Sequence, residues 1–237
     1  MEMLLPMPSD PSSCQIFNRY DAVIFDFEGT LVDFQWNLGL AEEELRCGFA
    51  RLGFVGDEFT KGNYANMWNV AAARYGPLGR IAELRDVFYP IYDRWDSDAL
   101  TRWILRPDAT NTLQSLLAGR VRIGMVSNIG RKALSAALGR FDLAGLFSMV
   151  VSRDDVTYMK PGPEGILRVL SDWGTEASSA IFVGDSLADV RGARAADVPV
   201  AIIRGGEVEE TAFSNDRPDH MISGLSEIIE LTRTWGM

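Results

Sequence analysis

Asp26, Glu28, Lys160, Asp185 and Asp189, with Ser127 between them in the chain, are side chains able to move a phosphoryl group. Carboxylates can attack phosphorus, exchange protons and hold a hard divalent cation, an ammonium offsets anionic charge, and a hydroxyl donates to oxygen. They fall in four short stretches: Asp26-Phe27-Glu28-Gly29-Thr30, Val126-Ser127-Asn128, Lys160-Pro161 and Gly184-Asp185-Ser186-Leu187-Ala188-Asp189. Each stands just after or near an apolar run, where a buried strand would release its side chains into a loop. Together they outline a magnesium-dependent phosphoryl-transfer site, provided the fold gathers them.

The elements that must do the gathering can be read from periodicity. Short β-branched runs recur at 22–26, 121–126, 147–151, 180–184 and 198–203, with a sixth near Met221-Ile222. Between them, 112–118, 131–138, 163–172 and 188–196 carry apolar residues at helical spacing. That alternation predicts an α/β fold with a doubly wound parallel sheet, whose right-handed crossovers put every strand's carboxyl end on one edge. From Thr30 to about Arg106 the pattern changes to helical stretches at 36–53, 59–75 and 80–103, broken at Pro77 and Gly79. Trp36, Leu40, Leu45, Phe49 and Leu52 read as the apolar face of the first helix, with Glu42, Glu43 and Arg46 turned away. The expected organisation is an N-terminal tail over 1–20, a catalytic core over 21–32 and 107–237, and an inserted all-helical cap over 33–106. Val32-Asp33 and Arg106-Pro107 are the hinge candidates.

Composition narrows the partners. A chain of 237 residues, 47% hydrophobic, can bury a substantial core. Its net charge of −10 argues against a nucleic-acid partner but leaves room for a small anionic substrate in a locally basic pocket. Cys14 and Cys47 are too few and too widely spaced for a disulfide framework or a zinc site, which suits a reducing interior. The opening residues carry neither a basic start nor an apolar run long enough for a signal or membrane helix, so the expectation is a cytoplasmic protein without a membrane partner, monomeric or homodimeric. His220, the only histidine, lies outside every motif and is expected to be structural.

In order and spacing these motifs resemble the haloacid dehalogenase-like hydrolases, in the branch with a helical cap inserted after the first motif. The resemblance runs from about residue 21 to residue 206 and includes the approach to the lysine, Ser152-Arg153-Asp154-Asp155-Val156-Thr157-Tyr158-Met159-Lys160-Pro161. It implies a Rossmann-like core, an aspartyl-phosphate intermediate and Mg2+, with a small phosphorylated metabolite as substrate. Asp26 would be the nucleophile, Glu28 the acid and base, and Lys160 the charge-offsetting cation. Asp26, Asp185 and the Glu28 backbone carbonyl would hold the metal, and Asp189 would orient a metal water or bond Lys160. Ser127 and the backbone donors near Asn128 and Gly130 would bind phosphoryl oxygens, and Thr30 would bond Asp26. In the cap, Lys61, Asn63 and Tyr64 are candidate leaving-group contacts, with Arg74, Tyr92 and Trp95 as further options.

Two positions depart from the family pattern. The first motif is usually Asp-x-Asp-Gly-Thr, and Glu28 replaces its second aspartate, adding a methylene and about 1.5 Å of reach. Glutamate also stands there in the enolase-phosphatases, whereas the dehalogenase branch lacks an acid and the phosphonate-cleaving branch has a small residue. The second is Asp197, where relatives usually close the helix with glycine in the left-handed conformation. A phosphomutase, a phosphonate hydrolase, or a binding module that has lost turnover stay open as alternatives at this level.

Overall fold

The computed structural model describes residues 20–60 and 63–232. Six parallel strands, β1 (Ala22–Phe25), β2 (Arg122–Val126), β3 (Met149–Val151), β4 (Ala180–Gly184), β5 (Val200–Ile203) and β6 (His220–Ile222), form one sheet in the order β3-β2-β1-β4-β5-β6. The winding reverses at β1, which has β2 and β4 as neighbours, and the crevice beyond such a reversal is where open α/β sheets bind ligands. Register makes this concrete, because Phe25 pairs with Met125 on one side and Val183 on the other. Asp26 therefore stands one residue past that level, and Ser127 and Asp185 two residues past it.

Alternation explains why the strands read as unbroken apolar runs. Val23, Phe25, Ile123, Met125, Ile181 and Val183 join one buried cluster, while Ala22, Ile24, Ala180 and Phe182 join the cluster on the other face. A parallel sheet covered on both faces requires this, and each fully buried large side chain contributes about 1.5–3 kcal/mol. The first cluster continues through Phe27, Leu31 and Trp103 to Phe49, Trp68 and Phe88, so one apolar core joins the sheet to the helices inserted after β1.

Those helices are α1 (Leu38–Arg51), α2 (Asp57–Thr60), α3 (Tyr64–Tyr75) and α4 (Ile81–Leu100). The stretch expected as one helix over 59–75 divides into α2 and α3, because the Asn63 side chain caps α3, accepting from the Asn66 amide at 2.9 Å. The α1 face is also shifted. Ala41, Leu45 and Phe49 are buried, whereas Leu40 (54%) and Leu52 (40%) are exposed. Trp36 precedes the helix, so the buried row runs at i, i+4 and i+8 from Ala41, and Leu52 lies past the last turn. The legs that enter and leave the insertion are tied together: the Asp33 amide donates to the Ile104 carbonyl (3.0 Å) and the Arg106 amide to the Leu31 carbonyl (2.9 Å).

After β1 and the insertion, α5 (Ala109–Ala118), α6 (Arg131–Arg140), α7 (Glu164–Trp173) and α8 (Leu187–Ala195) alternate with strands β2 to β5, and α9 (Glu227–Thr232) follows β6. Asp197, following α8, takes a φ of +57°, the left-handed conformation expected of it. His220 opens β6 with its ring edge-on to Tyr20, and Cys47 is an exposed thiol. Among the described residues, no helix is long and apolar enough to cross a membrane.

Candidate active site

Asp26 leaves β1 with its amide still donating to the Val183 carbonyl at 2.8 Å, so the sheet itself sets its position. Its Oδ1 accepts from Lys160 Nζ at 2.5 Å, and the same ammonium donates to Asp189 Oδ1 at 2.7 Å. All three side chains are buried. Burial pushes the Asp26 carboxyl up to about 6, with Asp189 adding to the rise and Lys160 opposing it. Burial alone would push the Lys160 ammonium down, but the carboxylates of Asp189 and Asp26 outweigh it and hold Lys160 above its ordinary value.

Asn128 fixes the lysine from behind. Its Oδ1 accepts from the Lys160 amide (2.9 Å) and its Nδ2 donates to the Lys160 carbonyl (3.0 Å) and to the Tyr64 hydroxyl (3.3 Å). The Asn128 side chain is thus spent on Lys160 and Tyr64 rather than on phosphoryl oxygens. The Gly130 amide is likewise engaged, donating to Asp96 Oδ2 at 2.9 Å. Ser127, buried at the end of β2, accepts from the Ile129 amide at 3.3 Å, which leaves its own O–H to donate.

Asp26, Asp185 and Asp189 each bring a carboxylate oxygen within 4.8 Å of the others. Burial pushes Asp185 well above the usual carboxylate range, and the charges of Asp189 and Asp26 push it further. Thr30 donates its hydroxyl to Asp185 Oδ1 (3.2 Å) and not to Asp26, because Gly29, at φ +80°, turns the chain toward β4. A Cβ at either Gly29 or Gly206 would overlap the Asp185 carboxylate, so both glycines are required for this approach. Asp189 Oδ2 accepts from the amides of Asp185 (3.1 Å) and Ser186 (3.0 Å) and from the Ser186 hydroxyl (2.7 Å), which caps α8. One Asp189 oxygen thus caps α8 while the other holds Lys160, the second of the two roles expected of it. Crowded carboxylates facing a single ammonium form a hard-oxygen donor set that suits a divalent cation such as Mg2+.

Glu28 answers the question raised by its extra methylene. Its Oε1 accepts from the Gln35 amide (2.9 Å), the Trp36 amide (2.7 Å) and the Trp103 indole N–H (2.8 Å). Among the described residues nothing donates to Oε2. Burial pushes the carboxyl up to about 8 even though Trp103 and the two amides favour its charged form.

Asp26, Glu28, Ser127, Lys160 and Asp185 line a cavity of about 30 Å³, to which the insertion contributes Phe34 and Tyr64. Sequence reasoning missed Phe34, Ile129 and Glu207 there. Glu207 is half-buried, donates its amide to Asp185 Oδ2 (2.6 Å), and is pushed up to about 7 by burial and then by Asp189 and Asp26. The signal was available in Gly205-Gly206-Glu207, which follows the β5 run as the other motifs follow theirs. Of the insertion candidates, Tyr64 reaches the cavity and Asn63 does not, being exposed at the start of α3. Lys61 lies outside the described residues. Arg74 pairs with Glu58, Tyr92 is core with its hydroxyl on the Tyr64 carbonyl (3.0 Å), and Trp95 donates to Glu44 (3.0 Å).

The insertion is fastened to the strand-end loops by polar contacts. Asn69 exchanges hydrogen bonds with both backbone groups of Met159 at 2.8 Å, and the Trp68 indole donates to the Thr157 carbonyl at 2.9 Å. Arg153 and Asp96, each 1% exposed, pair at 2.9 Å, with Arg153 also donating to the Asn128 carbonyl at 3.1 Å.

Comparison with known proteins agrees with this geometry. A family model described as a haloacid dehalogenase-like hydrolase matches residues 20–197. The phosphoglycolate phosphatase of Photorhabdus laumondii is 26% identical over 211 residues, covering 88% of this chain and 90% of its own. That of Escherichia coli K12 is 26% identical over 234 residues, covering 90% and 92%. Among solved structures, a HAD-superfamily hydrolase of subfamily IA from Geobacter sulfurreducens has a TM-score of 0.57 at 24% identity, covering 90% of this chain and 99% of its own.

Proposed function

The chain belongs to the haloacid dehalogenase-like hydrolase family, and on that premise we propose that it is a magnesium-dependent phosphatase cleaving a small phosphate monoester through a phosphorylated Asp26. One observation carries the reading: at the end of β1, Asp26 is bonded to Lys160 and lies beside Asp185, while Glu28, two residues on, is buried and biased toward its protonated form. The phosphatase names of the relatives support a phosphomonoester substrate.

Asp26 attacks phosphorus as the ester P–O bond breaks, and Glu28 gives its proton to the leaving alkoxide. Glu28, now a carboxylate, then takes a proton from water as that water attacks phosphorus and breaks the bond to Asp26, releasing phosphate and restoring both side chains. Lys160 offsets the charge of Asp26 and the phosphoryl oxygens. The Ser127 hydroxyl and the backbone N–H groups of Gly29 and Asn128 are the donors for those oxygens. Asp26, Asp185 and the Glu28 backbone carbonyl would hold Mg2+, which would supply positive charge to offset that of the phosphoryl oxygens. Residues 33–106 act as a helical cap over the core formed by 21–32 and 107–237, and the small cavity beneath Phe34 and Tyr64 restricts access.

The test is phosphate release from a panel of phosphate esters, with and without magnesium. We expect turnover that requires the metal and falls by at least about a thousandfold in Asp26→Asn, since the nucleophile is lost. Release unchanged by that substitution would refute the mechanism. No release from any ester by the pure protein would favour a binding module.

A further inference from the structure

The Glu28 carboxyl is divided into two unlike oxygens. Oε1 accepts three N–H groups within 2.9 Å, which saturates its lone pairs, and Oε2 has no donor among the described residues. The donors come from both legs of the insertion, Gln35 and Trp36 on the way in and Trp103 on the way out. The legs hold one another, through Asp33 and Ile104 and through Arg102, which donates to the Gln35 carbonyl at 2.9 Å. The Trp36 indole is anchored in turn on Asp96 at 3.1 Å. Trp103 is fully buried and packs edge-on against Phe27, the residue between Asp26 and Glu28, with ring centres 5.1 Å apart. Packing therefore fixes the indole, and its N–H has one destination.

We propose that Trp103 is a positioning residue for Glu28: its indole N–H holds Oε1 so that the extra methylene is taken up by the socket and Oε2 is presented to the leaving oxygen. A glutamate without that anchor has one more free torsion than the aspartate usual at this position. A displacement of about 1 Å at a reacting group costs on the order of a hundredfold. The proposal rests on the reading of Glu28 as the proton donor to the leaving group.

Leaving-group dependence tests it. In Trp103→Phe, kcat/KM for an alkyl phosphate should fall about 10- to 100-fold, as for loss of a hydrogen bond to a catalytic acid. For p-nitrophenyl phosphate, whose phenolate leaves without a proton, kcat/KM should stay within about threefold. Adding Trp103→Phe to Glu28→Gln should cost the alkyl ester nothing further. If Trp103→Phe fails to fold, benzothienylalanine at position 103 keeps the bicyclic ring and deletes only the N–H. Equal losses on both esters, or a further loss in the Glu28→Gln background, would overturn the positioning role. Glu28→Gln with undiminished alkyl ester turnover would instead refute the proton-donor reading beneath it.

Discussion

Asp26, Ser127 and Asp185 reach the cavity because paired strands end there, whereas Tyr64 reaches it, and the donors reach Glu28, through an inserted segment fastened by a handful of side chains. The first kind of placement is distributed over many backbone hydrogen bonds and two apolar faces, so no single side chain decides it. The second depends on contacts such as Arg153 with Asp96 and Asn69 with Met159, each of which one substitution can remove. Side chains far from the chemistry should therefore matter most where the insertion is tied down.

The largest expected effect is on stability. Arg153→Met would strand the buried Asp96 carboxylate beside the Gly130 amide and cost about 3–5 kcal/mol, because removing one partner leaves an uncompensated buried charge. Urea unfolding measures this, and a loss under about 1 kcal/mol would mean that the tie is dispensable and the contrast between the two regions too sharply drawn.

A pH series separates Glu28 from its neighbours. Burial raises its folded-state pKa to about 8, so the folded protein binds this proton more tightly than the unfolded chain does. The stabilisation is complete below the unfolded value of about 4.3 and is lost as pH rises through about 8. Metal-free Glu28→Gln, lacking the titration, should gain stability relative to the parent from pH 5 to pH 9, even as alkyl ester turnover falls. Parallel melting curves across that range would show that Glu28 does not carry a raised pKa.

The smallest effect sharpens the map of the insertion. Asn63→Ala should cost about 1 kcal/mol through loss of the α3 cap and leave kcat/KM unchanged. A clear rise in KM would place Asn63 at the substrate after all.

How far the chain could be read without coordinates varied with the type of contact. Strands β1 and β4 were legible almost to the residue, since a strand buried on both faces must be apolar throughout. Strand β3 is shorter than its apolar run, and α9 was not foreseen at all, being a short helix whose identity depends on what it covers. Leu40 and Leu52 misled because apolar spacing does not say where a helix begins. At the site, the acids and the lysine were legible by chemical type, but Thr30, expected on Asp26, bonds Asp185, and the grip of the Asn128 side chain on the Lys160 backbone was not foreseen.

By itself the sequence determined the alternation of strand and helix, the positions where reactive side chains leave strands, and the replacement of aspartate by Glu28. These are properties of residue type and short-range spacing, which a linear pattern carries. Only the tertiary structure decided which donor meets which acceptor: that Glu28 finds Trp103, that Asp96 finds Arg153, and that Glu207 joins Asp185. Such pairings join residues as many as 75 positions apart. They are selected because a buried polar group must find a partner within about 3 Å wherever the packed chain supplies one.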